Sequence, residues 1–71
     1  MKMEECAKIV NKMVKERIKS YKDEKETEYT LNYNQYKNKY TLYYVRKNEK
    51  NWNCAAIDPE ICAAVERGEK V

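Results

Sequence analysis

The stretch EYTLNYNQYKNKYTLYYVRK, residues Glu28 to Lys47, decides the fold, because two runs of alternating residues flank a short polar break. From Glu28 to Tyr36, Tyr29, Leu31 and Tyr33 fall on one side while Thr30, Asn32 and Asn34 fall on the other, the period of a half-buried strand. Lys37, Asn38 and Lys39 interrupt this run, and asparagine tolerates the left-handed backbone that tight hairpin connections demand. The run from Tyr40 to Lys47 is again rich in aromatic and β-branched residues, so the two together predict a β-hairpin.

Working outward from the hairpin, a polar turn at Asn48 to Asn51 precedes Trp52 to Ile57, which reads as a third strand. Its Cys54, Ala55 and Ala56 are small enough to let a helix approach closely. Asp58 then reads as an N-cap with Pro59 at the first helical position, where a missing amide hydrogen costs nothing. Ile57 and Cys62 have the spacing of a hydrophobic staple across that helix start. Ile61, Ala64 and Val65 supply an apolar face, and Gly68 sits where a left-handed C-terminal cap is needed.

On the N-terminal side, Met3, Cys6, Ala7, Val10, Met13, Val14, Ile18 and Tyr21 recur every three or four residues, predicting an amphipathic helix that runs to about Tyr21. Arg17 falls within this stripe, its guanidinium emerging at the helix end. Lys22 to Thr27 reads as the frayed helix end and a loop. The expected architecture is α+β: a helix, a three-stranded antiparallel meander and a short helix, with both helices on one sheet face in two layers. Its 71 residues enclose one core, so residues 1–71 form a single small domain.

The order helix, three strands, helix resembles that of the double-stranded RNA-binding domain, which is of similar length. That family grips the RNA backbone with a lysine-rich motif opening its second helix and with a histidine-bearing strand loop. Here the second helix opens Asp58-Pro59-Glu60 and the chain has no histidine, so no binding residue carries over and the resemblance is one of topology.

Composition argues against catalysis. Acid–base and nucleophilic chemistry draw on histidine, paired carboxylates, or a serine or cysteine beside a base. Ser20 ends a lysine-rich segment, and Asp23 and Asp58 read as a loop residue and a helix cap. The three cysteines, Cys6, Cys54 and Cys62, lack the close pairing of a disulfide scaffold or a zinc site and read as small buried residues kept reduced in a cytosol. Neither metal nor cofactor is expected, and the single glycine excludes a phosphate-cradling loop. No run approaches the roughly 18 apolar residues of a membrane span, and no signal-peptide core follows Met1, so a cytoplasmic protein is expected.

Tyrosine is the unusual feature: seven tyrosines, one tryptophan and no phenylalanine. A phenol sealed in a core must find a hydrogen-bond partner, so a tyrosine-only set predicts rings whose edges reach water. Two short helices cannot roof both sides of the hairpin, and the expected partner-binding surface is Tyr36, Tyr40, Leu42, Tyr44 and Arg46. The function expected of it is stoichiometric, non-enzymatic binding to a protein partner, as in an adaptor or a phage or mobile-element inhibitor that blocks a host enzyme or defence complex. The alternative is nucleic-acid binding, with Lys37, Lys39, Lys47 and Lys50 on phosphates and tyrosines stacked on bases. A homodimer through the open sheet faces or a free strand edge would relieve the marginal stability of so short a chain.

Overall fold

The computed structural model describes residues 2–70. In chain order it contains α1 (Met3–Glu16), β1 (Ser20–Lys22), β2 (Glu28–Asn34), β3 (Lys39–Val45), β4 (Asn53–Ile57) and α2 (Pro59–Glu66). The strands form one antiparallel sheet in the order β1-β2-β3-β4, each paired with the next in the chain. The α+β class and the meander are as expected. The strand count is four rather than three, which also removes the match to the RNA-binding domain's element order.

The extra strand comes from an earlier helix end. Arg17 adopts φ 57°, and the amides of Arg17 and Ile18 turn back to donate to the carbonyls of Val14 (3.1 Å) and Met13 (3.0 Å). This is the paired bonding of a Schellman cap, with Ile18 packing on the core just beyond the helix, beside its partner turn at Met13. Ile18 and Tyr21 are apolar because they meet the same core from β1 and its approach, so their spacing extends the stripe without extending the helix. Met3 and Val14 are exposed, and the buried stripe of α1 narrows to Cys6, Ala7, Val10 and Met13.

Lys22 to Thr27 is likewise a built turn rather than a frayed end. The Asp23 carbonyl accepts the Glu26 amide (3.0 Å), the Asp23 amide donates to the Thr27 carbonyl (3.1 Å), and Glu26 takes φ 62°. A tight turn closed by a left-handed residue is a common three-residue hairpin connection. The Asp23 carboxylate completes it, Oδ1 accepting the amides of Lys25 and Thr27 at 2.9 Å and Oδ2 accepting the Tyr29 hydroxyl at 3.1 Å.

Register fixes the two sheet faces. Tyr21, Tyr29 and Tyr44 form one cross-strand row, Leu31, Leu42 and Ala55 the next, and Tyr33, Tyr40 and Ile57 a third. All lie on the helix side, where Tyr29, Leu42 and Ile57 join Cys6, Ala7, Val10 and Met13 of α1 and Cys62 of α2 in the buried core. Both helices therefore cover one face, as expected. The opposite face presents Ser20, Thr30, Tyr43 and Cys54 in one row and Asn32, Thr41 and Ala56 in another.

Helix α2 starts and stops where the sequence indicates, with one change of mechanism. The Asp58 side chain does not cap it; the Asp58 carbonyl accepts from Ile61 and Cys62, while the carboxylate pairs with Lys39 at 3.3 Å. Gly68, at φ 82°, ends the segment with the amides of Gly68 and Glu69 bonded back to Val65 and Ala64.

Candidate functional site

The sequence-derived partner surface divides between core and solvent. Leu42 is 0% exposed at the centre of the core, which removes it from any contact surface, and Tyr44 is half-buried against the same core with the Arg46 guanidinium 5.5 Å above its ring. The tyrosine-rich face is thus the roofed face. It holds its phenols at the margin of the helices, where the rings pack and the hydroxyls find solvent or partners. Arg46 serves the β3–β4 turn: its amide donates to Glu49 Oε1 at 2.9 Å and its guanidinium approaches the same carboxylate at 3.3 Å. That backbone hydrogen bond, ahead of the nearby Arg46 charge, holds the Glu49 carboxyl below its ordinary value.

Tyr36 is exposed, whereas Tyr40 is half-buried and packs against the core like Tyr44; the neighbouring Tyr33 is exposed. The connection between β2 and β3 is a loop of residues 35–38, and Tyr36 stands on it 93% exposed. The loop is closely tied: Asn34 Oδ1 accepts the amides of Tyr36 (3.0 Å) and Lys37 (3.1 Å), an Asx-type turn, and Asn38 takes φ 50°. From the strand beneath, the Tyr33 hydroxyl donates to Asn38 Oδ1. Tyr33, 47% exposed, lies against Tyr40 with ring centroids 5.1 Å apart.

Tyr40 in turn forms a wall of a groove of about 490 Å³ between α1 and α2, with Val10, Val14, Pro59 and Cys62 around it. Val14 is 47% exposed there although it lies on the helix's apolar side. Tyr33 adjoins the groove through its contact with Tyr40, and Asn11, Lys15 and Glu66 add polar groups to the groove's lining. The signal of this region in the sequence was the tyrosines themselves; Val14 and Pro59 join it only through helix packing that no local pattern reports.

The basic residues are largely engaged. Lys39 pairs with Asp58 (3.3 Å), Lys47 with Glu26 (2.8 Å) and Arg46 with Glu49, whereas Lys37 and Lys50 are exposed and make no ion pair among the described residues. Comparison with protein-family models, curated proteins and solved structures gives no match. Chemistry must therefore be read from the residues alone.

Cys6 and Cys62 are buried, and that burial raises both thiol pKa values, the reverse of what a nucleophile needs. Cys54, expected inside, is exposed on the open sheet face because its parity is opposite to that of Ala55 and Ile57. Among the described residues no group of three His, Cys, Asp or Glu is placed to hold a metal. No helix among them is long and apolar enough to cross a membrane.

Proposed function

We propose that this chain is a small, non-enzymatic binding module that acts stoichiometrically on a protein partner through the aromatic turn at Tyr33, Tyr36 and Tyr40 and the adjoining groove at Val14. The observation carrying this reading is Tyr36: a large ring almost wholly in solvent on a loop held by side-chain hydrogen bonds. Ordering that loop gains no buried area within the monomer, whereas a preorganised ring loses little entropy when a partner covers it. Adaptors and steric inhibitors, including those that phages and mobile elements direct against host defence, act in this stoichiometric manner. The cytosol suits the module, since its cysteines are unpaired thiols.

Nucleic-acid binding by the same hairpin is the less favoured reading, because Lys39, Arg46 and Lys47 already face carboxylates. Affinity capture from the native host with the wild-type chain, Tyr36→Ala and Tyr43→Ala, each with and without nuclease, separates the cases. Proteins retained by wild type and Tyr43→Ala after nuclease but weakened on the order of tenfold or more by Tyr36→Ala are the expected outcome. Retention unchanged in Tyr36→Ala refutes the assignment of the turn, and loss on nuclease treatment favours nucleic acid.

A further inference from the structure

The two edges of the sheet differ in kind. Strand β1 spans Ser20–Lys22, too short to template another chain, and is bounded by Lys19 and Lys22. These are the ordinary protections of an exposed edge. Strand β4, Asn53–Ile57, is longer and its five residues NCAAI include no charge and no proline, Asp58 and Pro59 coming only after its end, in a chain whose charged fraction is 38%.

The surface beside that edge is also uncharged. On the open face, Tyr43 neighbours Cys54 and Thr41 neighbours Ala56, and the same rows continue through Thr30 and Asn32 without a charge. Tyr43, Cys54 and Ala56 are all exposed. An antiparallel sheet face turned to water ordinarily carries charges at such positions.

We infer that β4 is a self-pairing edge, and that two copies of this chain join antiparallel β4 strands about a two-fold axis into one continuous sheet. Antiparallel self-pairing is what a two-fold axis generates from a single strand, since the same segment serves both sides. A partner with a charged strand has nothing to recognise along Asn53–Ile57, whereas a second β4 meets it without repulsion and with small side chains on the open face. Pairing all five residues centres the axis on Ala55, setting Asn53 opposite Ile57 of the other copy and Cys54 opposite Ala56. That register keeps helix-side residues with helix-side residues, as the pleat requires. It also leaves only the lysine-bounded β1 edges at the two ends of the joined sheet.

Two measurements on the full chain test the inference, the first of them under reducing conditions. Light scattering during size exclusion should give a mass that rises with concentration from 8.6 kDa towards twice that value. Ala56→Cys, at an exposed position, should then form a disulfide-linked dimer on mild oxidation through Cys54 of the opposite copy, because directly opposed residues lie within bridging distance and residues two apart on one strand do not. A mass fixed at the monomer value at every concentration overturns the inference. A doubled mass without the cross-link in Ala56→Cys overturns it as well, since the contact would then lie elsewhere.

Discussion

Asp23 is the residue whose surroundings say most about how this chain holds its shape. One carboxylate closes the β1–β2 turn through two backbone amides and satisfies the Tyr29 hydroxyl, whose ring is buried against the core and stacked on Tyr21 at 5.7 Å. Hydrogen bonds, first that from the Thr27 amide, hold the Asp23 carboxyl below its ordinary value. Burial, then the Asp23 contact, pushes the Tyr29 phenol up to about 12. The linkage signs are opposite. A depressed Asp23 stabilises the fold fully above the carboxyl's unfolded value, and this contribution is lost as pH falls through the folded one. A raised Tyr29 contributes fully below the phenol's unfolded value near 10, and this is lost as pH rises from there towards about 12. Absorbance titration should show a phenol ionising late, and Tyr29→Phe should abolish that step. Asp23→Ala should cost about 1–2 kcal/mol in urea denaturation at neutral pH, because it opens the turn and leaves a buried hydroxyl without its acceptor.

Among the elements, α1 ends in a conformation that its residue does not favour. A non-glycine residue at φ 57° carries a steric penalty, and Arg17 occupies the position where helices most often place glycine. Arg17→Gly should therefore raise stability by about 0.5 kcal/mol, the relief of the left-handed backbone being partly offset by the freedom glycine adds to the unfolded chain. A higher denaturation midpoint with an unchanged slope is the expected reading. The same helix end marks the limit of what local pattern can convey. Strands β2, β3 and β4 and helix α2 were legible because alternation, Asp58-Pro59 and Gly68 are signals carried by neighbouring residues. Strand β1 was not, since Ile18 and Tyr21 continue a helical spacing while lying in extended chain, and a three-residue strand is too short to establish a period of its own. The roofed face was not legible for a related reason: Tyr40, Leu42 and Tyr44 alternate with Thr41 and Tyr43 whichever side is roofed. What fixes the choice is α1, through contacts with Leu42 and Ile57 that are remote in the chain. Of the expected surface, Tyr36 is exposed in either register because it stands on the turn, while Tyr40, Leu42 and Tyr44 go with the roofed face.

For the molecule as a whole, size sets the terms. The core is small, with Met13, Leu42, Ile57, Val10 and Cys6 its largest fully buried side chains. One core in so short a chain rarely has more than about 3–5 kcal/mol to spare. Leu42→Ala removes most of a side chain from the centre of that core and should cost about 2–5 kcal/mol, enough to leave much of the population unfolded at 25 °C by circular dichroism. Tyr36→Ala, by contrast, deletes a ring that touches solvent and should leave the melting curve within about 0.5 kcal/mol of wild type. A surface residue that is dispensable for folding yet ordered is the combination expected of a contact kept for a partner.

Sequential strand order carries a consequence for how the chain reaches this state. Each strand finds its mate across a short connection, so the sheet closes few long loops and should zip rapidly. The first helix is different. Its Asn11 amide reaches the Cys62 carbonyl, a separation of 51 residues, and its apolar stripe shares a core with Leu42, Ile57 and Cys62. The hairpins can therefore pair before this helix packs, and its docking onto β3, β4 and α2 is expected to be the slower step of assembly.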